Sequence, residues 1–304
     1  MRKKKLINVN NATPVTNVVF NIIFIILCVM CAYPMLLVIG ISFTSEDCLN
    51  QFGYRMIPKE ISFDAYAYVL KNAKIILRAY GVSIFTTLLG TVLSVLINAL
   101  FAYAVSRREF RYRKFFTFFQ FFTMLFSGGL VPWYLVCTRL IHINNTIWAL
   151  ILPMVCSAWN IIVLKTFFMT SVPESIVESA RIDGAREFKT FFEIVWPISL
   201  PGLATIALFA MLTYWNDYWN ALVLTSDPKL QNLQLYLYNI LQNIQMLTNT
   251  ASVANQQAAQ TLADLPKEGA RMAMCVLTVG PIIFAYPFFQ KYFIQGLTVG
   301  AVKG

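Results

Sequence analysis

Charge is what this chain has least of. Only 12% of its 304 residues are charged and 58% are apolar, about half the charge of an ordinary soluble domain. That shortage excludes a water-soluble globular protein. The charges are also clumped, so that 6–45, 79–106, 115–138, 140–164 and 194–216 each run without an acidic or basic residue. A hydrocarbon core about 30 Å thick takes roughly 20 such residues per helix. Little length remains for an independent soluble domain or for the catalytic apparatus of most enzymes.

Other absences narrow the function. His142 is the one histidine, and a metal site wants several soft or imidazole ligands, so no metal is expected. The six cysteines are scattered; Cys28 and Cys31 form a C-x-x-C inside the first apolar run with no second pair, which reads as packing. No glycine is followed by lysine, so the phosphate cradle of an ATPase is missing and the chain is not expected to hydrolyse ATP itself. Ser127-Gly128-Gly129 lies inside an apolar run, where a glycine pair permits close helix packing or a bend. No nucleophile, base and carboxylate converge by spacing, so no catalytic residue is expected.

Formal net charge is +10, which on a soluble chain would raise nucleic acid as a partner. Its placement argues otherwise. Arg2, Lys3, Lys4 and Lys5 precede the first apolar run, and Arg107, Arg108, Arg111, Arg113 and Lys114 fill one short loop. Retention of basic residues on the cytoplasmic side explains both clusters. The expected fold is all-α and polytopic, with six transmembrane helices near 17–41, 79–105, 115–137, 146–168, 202–224 and 272–289. With both termini inside, 15 of the 24 basic residues fall on inner segments. The first run is too long for a signal peptide and lacks a small-residue cleavage site, so it is expected to stay as a membrane helix.

Two connecting segments carry information. The outer stretch 225–271 is rich in Gln and Asn, and Leu237, Ile240, Leu241, Ile244 and Leu247 recur within it at helical spacing; a short amphipathic helix follows, lying on the membrane or on a partner. The inner stretch 171–201 is charged and punctuated. Ser171 with Glu174 reads as a capping box, Pro173 is tolerated in a first turn, and Asp183-Gly184 closes the helix. A second helix should end before Pro197 and Pro201. On the first helix Ile176, Val177 and Ala180 form a small apolar patch flanked by charge, suited either to a groove on another protein or to a solvated loop.

The order Glu178, Ser179, Ala180, two residues, Asp183, Gly184, Ala185, then Ile194, Pro197 and Pro201 resembles the EAA loop of ABC importer permeases. Ser179 stands where the family usually has Ala, and Ser is small enough to fit the same groove. Tyr214-Trp215-Asn216-Asp217 resembles the fifth span of carbohydrate-type permeases, and the Gly300-Ala301-Val302-Lys303-Gly304 ending resembles their C-terminus. A narrower likeness, through Phe126-Ser127-Gly128-Gly129 and Pro132 and through 63–72, is to the oligosaccharide and polysaccharide permeases of Gram-positive bacteria.

The resemblance implies a type I importer permease fold in a bacterial plasma membrane, both termini inside. It divides the chain into a basic N-terminus with the first span and first outer segment (1–78), a permease core (79–290) containing the coupling loop 171–201, and a cytoplasmic tail (291–304). It implies as partners a second homologous permease, a cytoplasmic ATPase dimer that holds ATP and Mg, and an extracytoplasmic substrate-binding lipoprotein, in contact with membrane lipid and no nucleic acid. No cofactor is expected on this chain. The rival class is a self-sufficient secondary transporter or channel, which should carry ion-coupling charges at mid-membrane. Asp217 is the only acid within any expected span.

Among the polar residues inside the spans, Asn98 and Gln120 read as interhelical hydrogen-bonding groups. Trp215, Asn216, Asp217 and Asn220 are different. With Trp219 they place two indoles, two amides and a carboxylate within six residues, chemistry that suits sugar hydroxyls and ring faces. They also fit an interface or gate role near the outer end of the fifth span. Lys165 sits at the inner end of the fourth span, where snorkelling explains it.

Overall fold

The computed structural model describes residues 14–71, 73–251 and 267–301. Among them no strand forms; the only pairing of that kind is an isolated bridge between Thr44 and Ile61. The helices are α1 (Pro14–Ser42), α2 (Glu46–Phe52), α3 (Asp64–Leu70), α4 (Ala73–Ser106), α5 (Arg113–Leu125), α6 (Leu130–Leu135) and α7 (Ala158–Ser171). They continue as α8 (Glu174–Ile182), α9 (Glu187–Thr190), α10 (Trp196–Ile198), α11 (Leu200–Trp215), α12 (Trp219–Leu224), α13 (Leu233–Ala251) and α14 (Lys267–Ala301). The described residues gather into two units, those within Met1–Lys71 and Leu247–Val276 and those within Asn72–Met246 and Leu277–Gly304.

In the first unit α1 is apolar all round, and none of its most apolar stretch is buried by the chain. A helix of that kind needs lipid on its faces. Cys28 and Cys31 are free and exposed on it, which corrects the expectation that they pack within the chain. Below α1, Phe43 stacks on Tyr66 at 5.0 Å between centroids, and the Glu46 carboxylate accepts from the backbone N–H groups of Glu268 and Gly269 at 3.3 and 3.4 Å.

The second unit is built on α4, packed against α7 and α11. Its buried face presents Ser83, Thr87, Gly90, Ser94, Ala99 and Ala102. Small residues let helix backbones approach where no hydrophobic effect drives association. Val95, Ile161, Leu164, Phe168, Leu203 and Ile206 complete the core.

Several expected spans prove to be bent. Two helices are long and apolar enough to cross a membrane alone, Val15–Ser42 and Ala73–Ser106, and three bent pairs raise the number to five among the described residues. The stretch expected as one span at 115–137 turns by 116° between α5 and Leu130–Leu140. The break lies at Ser127-Gly128-Gly129, where Gly129 takes φ +84°, a conformation L side chains avoid. The glycine pair therefore makes a bend. The stretch at 146–168 is a pair of short 3₁₀ turns bent by 49° from α7. That at 202–224 begins earlier, at α11, and is interrupted after Trp215.

The expected outer helix is present and longer than its apolar spacing implied, since α13 covers 19 residues. Asn232 caps it, with Oδ1 accepting from the Leu235 N–H at 2.9 Å. The side chains of Ile244 and Leu247 lie outside the described residues.

Candidate functional site

The loop 171–201 forms a helix, a tight reversal and a second helix. The expected capping box is absent, because α7 runs on through Ser171 and Pro173 takes the N-cap position of α8. Glu174 instead pairs with Arg108 at 3.7 Å. The C-terminus closes as expected. Gly184 adopts φ +78°, its N–H bonds to the Arg181 carbonyl at 3.0 Å, and the Ala185 N–H bonds to the Ala180 carbonyl at 2.9 Å. That pair of bonds is the Schellman closure, which a residue free of the Cβ penalty makes cheap.

The second helix does not end before Pro197. It runs from Glu187 to Ile198 and then turns by 85° into α11. A π-turn at Phe191–Val195 precedes the proline, and such turns loosen the ladder that a proline would otherwise break. Pro201 sits in the first turn of α11, where its missing N–H costs nothing.

Burial divides the loop into a seated face and a free face. Val177 and Ala180 are buried, and Val177 belongs to the cluster formed by α4, α7 and α11. They seat α8 on its own chain, which corrects the reading of Ile176, Val177 and Ala180 as one outward patch. Glu178, Ser179, Asp183 and Gly184 are exposed, Ala185 and Ile194 are partly buried, and Pro197 is exposed. The most exposed apolar groups of the loop are Ile182, 86% exposed, and Phe188, 70% exposed, with Phe192 and Ile176 less so. Ser179 Oγ turns back to the Ser175 carbonyl at 2.9 Å, so the serine adds no unpaired hydroxyl to the free face.

One arginine ties the two helices to the rest of the unit. The Arg181 guanidinium pairs with Glu109 on the 107–112 loop and donates to Glu187 Oε1 at 2.8 Å. The Tyr103 hydroxyl, on α4, donates to the other oxygen of Glu187 at 2.8 Å. Arg181 holds both carboxyls below their ordinary values, with the Tyr103 bond helping at Glu187. A cavity of about 470 Å³ opens behind this knot, with Leu100, Phe110, Phe188 and Phe191 in its walls. Sequence reasoning marked Arg181 only as a charge flanking the apolar patch and missed its meeting with Glu109 and Glu187, because their spacing in the chain does not announce it.

The second candidate group does not converge on a site. Trp215 is buried and its Nε1–H donates to the Thr278 carbonyl at 3.2 Å. Asn216 is exposed and donates to the Leu212 carbonyl at 2.9 Å. Asp217 Oδ1 accepts from the Asn220 N–H at 3.2 Å, its backbone carbonyl accepts from Asn232, and Asn220 is itself buried. These contacts build a corner between α11, α12 and α13.

A cavity of about 440 Å³ lies instead between α4, α7 and α11, lined by Ser94, Ser157, Asn160, Tyr214, Trp159 and Phe209 among others. Asn98 sits next to it, fully buried, donating to the Ser94 and Val155 carbonyls and accepting from the Ser157 N–H at 2.9 Å. It pins the bend at 155–157, as its expected interhelical role requires. Gln120 departs from that expectation: its amide atoms are buried and make no hydrogen bond among the described residues.

Residues 90–299 match the family described as binding-protein-dependent transport system inner membrane component. The polygalacturonan/rhamnogalacturonan transport system permease protein YtcP of Bacillus subtilis is 37% identical over 285 residues, covering 94% of this chain and 96% of that one. The arabinooligosaccharides transport system permease protein AraQ of Halalkalibacterium halodurans is 27% identical, covering 96% and 98%. A chain from the crystal structure of a bacterial ABC transporter involved in the import of the acidic polysaccharide alginate superposes with a TM-score of 0.78 at 29% identity, covering 93% of this chain and 99% of that one.

Proposed function

We propose a function from one premise: the chain belongs to the binding-protein-dependent transport system inner membrane component family. It is a permease subunit of an ABC importer for sugars or oligosaccharides, and the rival of a self-sufficient secondary transporter or channel is not favoured. Six spans cross a bacterial plasma membrane with both termini inside, and 79–290 is the core that forms a translocation path with a sister permease. A cytoplasmic ATPase pair binds ATP and Mg, and an extracytoplasmic lipoprotein delivers the substrate.

The free face of the loop 171–201 docks into the ATPase subunit. The observation that carries this reading is the division of α8 into a buried face at Val177 and Ala180 and an outward one ending at Ile182. A helix clamped to its own chain on one side and presenting an unpartnered isoleucine on the other transmits movement as one body. Glu178, Ser179, Asp183 and Gly184 lie on the contact, while Ala180, Ala185, Ile194, Pro197 and Pro201 shape and seat it. A cysteine in place of Glu178 should crosslink to the ATPase subunit and react only with reagent admitted to the cytoplasmic side. Reaction from outside, or a helix that crosslinks to no second polypeptide in the assembled transporter, overturns the reading.

The substrate faces the cavity between α4, α7 and α11. Hydroxyl and amide groups of Ser94, Ser157 and Asn160 beside the exposed indole of Trp159 match the mixed polar and apolar faces of a sugar ring. Trp215, Asn216, Asp217 and Asn220 set the outer corner of this path. Trp159→Ala should raise the substrate concentration needed for half-maximal transport without altering assembly. Unchanged transport removes the cavity from the path.

A further inference from the structure

Beside the coupling loop lies a cavity of about 790 Å³ that docking does not use. Arg108, Arg111, Arg113, Lys114 and Lys165 line it, and no acidic residue does. Arg108 has Glu174 as its counter-ion; the other four make no ion pair among the described residues. Retention of basic residues on the inner side explains a charged loop. It does not explain why Lys165, at the inner end of the fourth expected span, lines the same void as the 107–114 loop. Its Nζ donates to Thr117 Oγ1 on α5 at 3.0 Å, which fixes it at the cavity wall between α5 and α7.

The wall changes character along α5. Arg113 and Lys114 begin the helix, whose N-terminal end carries positive potential of its own. Phe118 and Phe121 follow within the next two turns, exposed and lining the same cavity. Cations at one end and phenylalanines at the other reproduce the polarity of a phospholipid, an anionic phosphodiester followed by acyl chains.

We propose that this cavity binds the headgroup of an anionic phospholipid, with Arg113, Lys114 and Lys165 on the phosphate and the acyl chains along Phe118 and Phe121. Placing that lipid in the cytoplasmic leaflet rests on the inside orientation of the 107–114 loop. Inorganic phosphate offers the same oxygens without the apolar part, and the phenylalanine wall favours the lipid.

Native mass spectrometry of the full-length chain, reloaded in detergent with phosphatidylglycerol, phosphatidylcholine or inorganic phosphate, tests it. Phosphatidylglycerol should be retained over phosphatidylcholine, and phosphate should not displace it. Lys114→Gln and Lys165→Gln should each weaken retention by about fivefold, while Lys165→Arg should preserve it. Equal retention of the two lipids overturns the proposal, as does unchanged retention in the double Gln variant. Displacement by inorganic phosphate overturns the lipid assignment, and loss of ATPase association with lipid retention intact makes the cavity a protein contact. Should the Gln variants fail to fold, the wild-type lipid preference and Lys165→Arg still decide. Cysteine labelling of the 107–114 loop from outside would move the site to the other leaflet without touching the retention result.

Discussion

The loop 171–201 and the Trp215–Asn220 corner lie at opposite ends of α11, and both are rich in the residue types that sites are made of. They are used in opposite ways. In the corner, Asp217 Oδ1 accepts from the Asn220 backbone N–H, Asn232 bonds the backbone at both ends of its amide, and Trp215 donates its indole N–H to a backbone carbonyl. Asp217 Oδ2 is buried with no hydrogen bond among the described residues. In the loop, Arg181, Glu109 and Glu187 satisfy one another and Val177 and Ala180 turn inward, which leaves one free face on the helix. Polar composition alone does not separate an architectural corner from a contact surface. What separates them is whether the side chains turn into the chain's own interior or, like Ile182 and Phe188, away from it.

Substitutions can break that contrast, and the largest effect belongs to Gly184→Pro. Proline fixes φ near −65°, whereas this position needs +78°. ATP-dependent transport and ATPase association should be lost while the protein still reaches the membrane. Unchanged coupling would refute the docking role of the loop. Next is Ile182→Glu, which removes an exposed anchor but no internal contact. Burial of such a side chain contributes about 1.5–3 kcal/mol, so association with the ATPase should weaken about tenfold or more with the melting temperature of the isolated chain unchanged. Ala180→Glu should do the reverse, lowering thermal stability because Ala180 faces its own chain. If the two variants behaved alike, the division into seated and free faces would be wrong.

The corner should answer differently. Asp217→Ala removes an acceptor at the start of α12 and should cost about 1 kcal/mol of stability, read in a thermal melt, with coupling to ATPase unaffected. A selective loss of substrate affinity would mark the corner as a binding site instead. The smallest effect is on pH. Glu109 and Glu187 titrate below their ordinary values when folded, so their ties to Arg181 are intact at neutral pH. That stabilisation is present above the unfolded carboxylate range and is lost as pH falls through the lower folded values. Hydrogen exchange at 174–183 should stay slow down to about pH 4.5 and quicken below it; quickening already near pH 6 would mean another group holds the loop.

Much of this was legible beforehand. Charge-free runs of about 20 residues admit few structures besides membrane helices, and Gly184 announced its turn because few residues tolerate that conformation. The residue order from Glu178 to Pro201 placed the loop in its family. Less legible were the break at Gly129, because a glycine pair fits close packing as well as bending, and the extent of the second loop helix, because Pro197 reads as a stop until a π-turn precedes it. The capping box at Ser171 failed since α7 simply continued through it.

By itself, the amino-acid order determined the solvent, the helical class and the location of the turn at Gly184, since hydropathy and backbone conformational preference are local properties. Only the tertiary structure decided which side of α8 is free, that Arg181 meets a glutamate from another loop, and that Lys165 joins four other cations around one void. Those depend on distances between segments far apart in the chain, and no local preference encodes a distance.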